Sequence, residues 1–347
     1  MKESDESQPS PANRPTMADV ARLAGVTPGT VSRALAGSSL VTAKTREKIA
    51  AAVRATGYVI HYAARNLREK RSRQVLIALP NIANPFFSGV VAAAEEAAQA
   101  AGYGVLIGNT AKRADGDSKI ANNLLTGAVD GLLLNTGHLP AELEDVPGIE
   151  RKVVAVAVPI QRAGITSVAI NQAAAASDAV AYLIDVGHRR IAHIGGPPSV
   201  TSDGRLEGYR QALASAGLAP DPSLVGFGDN TIPSGQEAAA MLLARPDRPT
   251  AIFCANDEMA IGTIIVAKSM GLGVPADLSV VGFDDVEMAA FYDPPLTTIH
   301  QPRAKIGRVG VAELLALLEG RRKRSGRRIT LKHELVARGS VRAIAAP

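Results

Sequence analysis

Six histidines, one cysteine and a scatter of carboxylates are the groups in this 347-residue chain that could react, and their spacing assembles no reaction centre. There is no Gly-x-Ser-x-Gly elbow, no phosphate-cradling P-loop, no complete Gly-x-Gly-x-x-Gly and no His-Glu-x-x-His. His333-Glu334 opens like the last of these, but position 337 is Ala. Cys254 has no second cysteine with which to form a disulfide or a thiolate cluster. These absences argue against an enzyme, and no cofactor or metal is expected. What remains is recognition chemistry. Residues 1–73 carry 13 Lys and Arg against 6 Asp and Glu, while the rest of the chain carries 25 against 27. The excess positive charge therefore sits in the first fifth. A charge run is often only a solvated face, but a basic module on a near-neutral body suits a nucleic-acid partner.

The elements that must position these groups fall into two patterns. Residues 1–14 are polar and rich in Pro and Ser, which predicts a disordered tail and not a signal peptide. No apolar run approaches the ~18 residues of a membrane span, so a cytoplasmic protein without a membrane partner is expected. From Thr16 the apolar residues Val20, Leu23 and Ala24 recur at helical spacing until Gly25, and Val31, Ala34 and Leu35 mark a second short helix. Thr16 with Asp19 forms a capping-box pattern, Thr27 is placed as an N-cap, and Pro28 suits a first helical position. A third helix over about 43–56 turns Ile49, Ala52 and Val53 inward. The stretch 59–73 is basic, weakly amphipathic and marginal as a helix alone.

From Val75 the pattern becomes short strands of Val, Ile and Leu alternating with Ala-rich helices, which predicts parallel sheets covered on both faces. Two such sets predict two lobes with ligand at the carboxyl ends of the strands. The expected fold is thus an all-α helix-turn-helix headpiece followed by an α/β two-lobed core. Its boundaries are set at 15–58 for the headpiece, 59–73 for the linker and 74–347 for the core. The N-lobe is expected to hold 74–165 and 300–325, the C-lobe 166–299 and 326–347.

The segment MADVARLAGVTPGTVSRAL resembles the headpiece of the lactose-repressor-type (LacI/GalR) family. The resemblance continues in order through AARNLREKRS, NPFF, GHRRIAHIGG, RLEGYRQAL, AIFCANDEMAIG, VPADLSVVGFDD and PPLTTIHQPRAKIG, almost to the end of the chain. It implies a periplasmic-binding-protein-like core and a DNA-binding regulator, expected to be a repressor. Such a protein would hold a pseudo-palindromic operator in double-stranded DNA as a homodimer and answer to a small-molecule effector.

The resemblance assigns Pro28, Gly29 and Arg33, at the start of the second helix, to base readout in the major groove. Arg33 can make a bidentate contact to guanine, whereas Gly29 has no side chain to read with and Pro28 offers only apolar contact. Thr27, Thr30 and Ser32 are either phosphate contacts or ordinary cap and helix surface. In the linker, the family's hinge helix falls on Arg65, Asn66, Leu67 and Arg68. Leu67 would wedge between central base steps, and the basic residues around it would contact the backbone. Asn66 stands where Ser is common.

For the core, the resemblance places Asn84, Phe86 and Phe87 of NPFF against the effector, although two adjacent Phe after a strand also suit a core. Arg205 would grip ligand oxygens or lie on a helix surface. Asn256 and Asp284 end two strands at the cleft, and Gln301 adds a polar contact. Asp257 and Asp285 are expected as helix caps, His188 as structural and Cys254 as a buried small hydrophobe. Ile170-Asn171, His138 and Asn81 depart from the family pattern, which leaves the effector as a nucleoside, a pentose or another polyol. The basic run 321–328 is expected as an exposed connection between the last helix and the last strand.

Overall fold

The computed structural model describes residues 15–35, 38–59, 71–110, 115–323 and 325–344. The chain divides into two compact units, residues 1–70 and residues 71–347. Among its described residues the first holds three helices, α1 (Met17–Ala24), α2 (Pro28–Leu35) and α3 (Ala43–Thr56). α1 starts at a reciprocal capping box, in which Thr16 Oγ1 accepts from Asp19 N–H and the Asp19 carboxylate accepts from Thr16 N–H at 2.9 Å. It stops at Gly25, whose φ of +65° needs a residue without a Cβ. Thr42 caps α3 by accepting from Thr45 N–H. Val20, Ala21, Val31, Ala34, Ile49 and Ala52 interlock as the core of this unit. Leu23 departs from the expected stripe: it is 58% exposed, because residues 20, 21 and 24 already form the inward face of a helix of only eight residues.

The second unit opens with β1 (Gln74–Leu79), α4 (Phe86–Ala100), β2 (Gly104–Asn109), α5 (Gly116–Leu125), β3 (Gly131–Leu134), β4 (Val153–Val156) and β5 (Thr166–Ile170). It continues with α6 (Gln172–Asp185), β6 (Ile191–Gly195), α7 (Val200–Ser215), β7 (Val225–Phe227), α8 (Ile232–Leu243), β8 (Ala251–Cys254) and α9 (Asp257–Ser269). The last elements are β9 (Ser279–Asp284), α10 (Glu287–Phe291), β10 (Thr297–His300), α11 (Arg303–Leu318), β11 (Arg328–Leu331) and β12 (Glu334–Val336).

Two six-stranded sheets result, in the orders β11-β5-β4-β3-β1-β2 and β12-β10-β9-β8-β6-β7. Every strand pairing in them is parallel except β10 with β12. Every residue of β3, β4 and β8 is buried, as expected where helices cover both faces. Phe253 and Phe283 are fully buried in the second sheet, each stabilising the fold by about 1.5–3 kcal/mol.

The lobe boundaries differ from those expected. β5 and β11, placed by sequence in the C-lobe, pair with each other and complete the first sheet. The chain therefore passes between lobes at three places: from β5 into α6, from β10 into α11 and from β11 into β12. Apolar periodicity marks a strand but carries no information about which sheet it joins.

Candidate functional site: the second helix and the interlobe cleft

In the first unit, α2 presents its N-terminus to solvent. Thr27 is its N-cap, accepting from Thr30 N–H at 3.2 Å, and its hydroxyl lies 2.9 Å from that of Thr30. Both hydroxyls are thus engaged locally, which favours a capping role for them. Thr27, Pro28, Gly29 and Arg33 are exposed and Ser32 is half-buried. A Cβ built on Gly29 would meet only Thr27 Oγ1, at 3.8 Å, so the glycine leaves open space on the helix surface. Arg33 is the one exposed side chain of α2 with a long, donor-rich head. Arg65, Asn66, Leu67 and Arg68 lie outside the described residues.

In the second unit, Asn84, Phe86, Phe87, Arg205, Asn256, Asp284 and Gln301 all line one cleft of about 290 Å³ between the lobes. Asn84 follows β1, and its Oδ1 accepts from Phe86 N–H at 2.8 Å, a turn that starts α4 and aims the two rings. Phe86 and Phe87 pack edge to face at 5.2 Å and belong both to the core and to the cleft wall. They come from the first lobe and are the flat apolar part of the site.

The second lobe supplies the charge. Arg205 rises from the second turn of α7, and its Nε donates to Gln172 Oε1 at 2.8 Å. One Nη donates to the Ala255 carbonyl, and the other lies 3.7 Å from Asp284 Oδ1. The guanidinium carbon stands 3.8 Å from the Phe283 ring centroid, a cation–π contact that fixes the plane of the fork. Asp284 ends β9 with φ +111°, a strained conformation for a residue with a side chain. Burial pushes its carboxyl up to about 6, with Arg205 and the Gln301 hydrogen bond at 2.7 Å opposing that rise. The site thus holds a cation and a titratable carboxyl in a largely dry wall, suited to hydroxyl-bearing ligands.

Asn256 lines the cleft and also has a local task. Its Oδ1 accepts from Met259 N–H at 2.9 Å, which makes it the N-cap of α9, and its Nδ2 donates to the Asn230 carbonyl at 3.0 Å. Asp257, expected as a cap, is instead wholly buried, accepting from Val286 N–H at 2.8 Å and Thr298 Oγ1 at 2.5 Å. Burial and the nearby Asp284 hold its carboxyl well above the usual range. Asp285 is likewise no cap: it bridges His300 Nδ1 at 2.8 Å and Arg338 at 2.6 Å. His188 lies between Thr250 and Ser279 hydroxyls, 2.9 Å from each. Burial pushes the Cys254 thiol up to about 12. Ile170 is core and Asn171 caps α6, so that position brings no carboxylate to the cleft.

Sequence reasoning missed Asn135, Ser199, Ser202 and Asn230, which also line the cleft. Asn135 is 1% exposed, and neither atom of its side-chain amide has a hydrogen-bond partner among the described residues. The free Oε1 of Gln301 is in the same condition. Asn135 follows the run GLLL as Asn256 follows AIFCA, so the rule that selected one would have found the other.

A helix-turn-helix unit joined to a two-lobed α/β core with a polar interlobe cleft is the build of a DNA-binding regulator, and comparison with known proteins agrees. Residues 16–60 match bacterial regulatory proteins of the lacI family, and residues 180–341 match the periplasmic binding protein-like domain. The HTH-type transcriptional repressor CytR of Escherichia coli (strain K12) is 40% identical over 332 residues, covering 95% of this chain and 97% of its own. Catabolite control protein A of Priestia megaterium is 36% identical over 299 residues, covering 85% of this chain and 90% of its own. The structure of the lac repressor dimer bound to operator and the anti-inducer ONPF superposes with a TM-score of 0.82 at 32% identity, covering 95% of this chain and 99% of that one. The chain belongs to the lacI family of bacterial regulatory proteins. It is a helix-turn-helix DNA-binding transcriptional regulator and not an enzyme. No helix among the described residues is long and apolar enough to cross a membrane.

Proposed function

We propose that this protein is a cytoplasmic repressor that binds a pseudo-palindromic operator as a homodimer and is controlled by a nucleoside or pentose held between the lobes. The observation that carries the effector reading is the pair of unpartnered polar groups in the cleft wall, Asn135 and the carbonyl of Gln301. A buried amide without a partner costs about 1–3 kcal/mol, a cost relieved by a ligand whose hydroxyls and ring heteroatoms both donate and accept. Phe86 and Phe87 favour a flat sugar or base face, and Asp284 with Arg205 favours hydroxyls over a net charge. Arg33, with the apolar Pro28, carries base readout, and Leu67 of the linker wedges the central step. The exposed Leu106 and Ile107 on edge strand β2 offer apolar surface to a second copy.

Control follows from linkage. An effector that prefers one lobe arrangement shifts the DNA-binding equilibrium by its difference in affinity, and a coupling of about 1–3 kcal/mol gives a 5- to 150-fold change. The test is selection from a random duplex pool, followed by fluorescence anisotropy with cytidine, adenosine, ribose and glucose present. Enrichment of a palindrome whose affinity one of these ligands shifts supports the reading. Absence of any enriched sequence defeats it.

A further inference from the structure

The core carries a concentration of positive charge far from the cleft. All strands of the first sheet run parallel, so the residues preceding them share one rim: Arg73 before β1, Asp130 before β3, Lys152 before β4 and Arg327 before β11. α11 ends on the same rim, where Arg71 donates to the Leu318 carbonyl at 3.1 Å. Arg71 is the first residue of the core unit, so this rim is where the chain from the DNA-binding unit enters.

The loop after α11 is rich in cations, and three carboxylates near it, Glu313, Glu319 and Asp130, are already engaged. Arg322 and Arg327 share Glu313 Oε1 at 2.8 and 2.7 Å, a half-buried clamp that pins both ends of the loop to α11. Arg321 pairs with Glu319 at 2.6 Å, and Asp130 is engaged by the backbone N–H groups of Ser72 and Arg73. Glu150, beside Arg151, is half-buried and has no ion pair or hydrogen bond among the described residues. Lys323, Arg328, Arg151 and Lys152 are left exposed, with no ion-pair partner among the described residues. Surfaces that serve only solubility intersperse both signs; this rim holds four exposed cations on a fixed support against the one uncommitted carboxylate, Glu150, among its described residues.

We propose that this rim is a second DNA contact surface, belonging to the core unit, in which Lys323, Arg328 and the Arg151-Lys152 pair face duplex phosphates. The inference rests on the operator-binding reading above. Charge complementarity selects DNA as the occupant. Contacts of this kind add affinity and salt dependence without sequence preference. The run 321–328 is therefore more than the exposed connection its sequence suggests.

The test compares two double variants of the full chain, Lys323→Gln with Arg328→Gln and Lys305→Gln with Arg308→Gln. The second pair is also exposed and removes the same charge from the other end of α11, roughly 15 to 20 Å away along the helix. Anisotropy titrations against a random-sequence duplex and the enriched palindrome are run across salt concentrations. The expected result is a salt slope reduced by about 0.9 per lost phosphate contact for the first pair only. For two contacts, its affinity would fall about tenfold less than the parent's between roughly 50 and 200 mM salt. Equal effects of the two pairs, or none from either, overturn the proposal. Failure of the unaltered protein to bind either duplex would instead defeat the operator reading, and this inference with it.

Discussion

Asn135→Leu should make the free protein more stable and unresponsive to its effector. The Asn135 backbone N–H donates to the Ala78 carbonyl at 3.0 Å, a bond that leucine keeps. The side chain is 1% exposed with both amide atoms unpartnered, so leucine, with the same branching and number of side-chain heavy atoms, removes two buried polar atoms. The gain is about 1–3 kcal/mol. For a core of this size each kcal/mol raises the melting temperature by about 2–4 °C, so calorimetry of the free protein should show a rise of at least about 2 °C. The same variant presents an apolar surface where the effector needs a donor and an acceptor. Its affinity for the ligand that shifts the parent's DNA binding should fall by about tenfold or more, equivalent to roughly 1.4 kcal/mol. A lower melting temperature would show that the amide is satisfied in the free protein. Unchanged ligand affinity would show that it does not face the ligand.

Further outcomes follow from the same geometry. Effector affinity should rise with pH and level off above about 6, where the Asp284 carboxylate is ionised and accepts ligand hydroxyls. Calorimetric titration at pH 5 should give about tenfold weaker binding than at pH 7.5, and Asp284→Asn should remove that slope. Asp257, Glu258 and Asp284 all have carboxyls raised by burial, Glu258 to about 7. Burial lowers His188 and His193, the latter to about 4, which acts in the opposite sense, but the three carboxyls outnumber them, so the folded state retains more protons and the free protein should lose stability as pH rises through about 6 to 7; a flat denaturation profile there would contradict this. Arg33→Ala should lower discrimination at one base of each half-site by about 1–3 kcal/mol while sparing random-sequence binding, measured by competition with single-base variants of the enriched duplex. Leu67→Ala should weaken specific binding and leave nonspecific binding intact; equal loss of both would sink the wedge.

The parts of this protein legible in its sequence are those encoded locally. Thr16 with Asp19, and Gly25 with φ +65°, are caps whose chemistry acts within a single turn. The seven cleft residues were legible because strand ends and a family pattern mark them, and the fold brings them together. Sheet membership was not legible: β5 and β11 meet across 160 residues of chain, and nothing in Thr166–Ile170 names its neighbour. The cap was assigned to Asp257 and not to Asn256 for a similar reason. Either could cap α9 locally, but Thr298 and Val286, both distant in sequence, claim the aspartate. Asn135 went unread because an unpartnered amide is a property of its surroundings and not of the residue.

The three passages between lobes also bear on how such a protein can be assembled from genes. Each lobe is built from separated stretches of chain, with the first sheet closed by β5 and β11 and the second by β10 and β12. No single segment of coding sequence contains one lobe whole. The DNA-binding unit, by contrast, ends once, near residue 70. A recombination event can give this core a new headpiece through one junction, whereas exchanging a lobe demands three coordinated ones, so operator choice is free to change hands while the effector cleft is inherited entire.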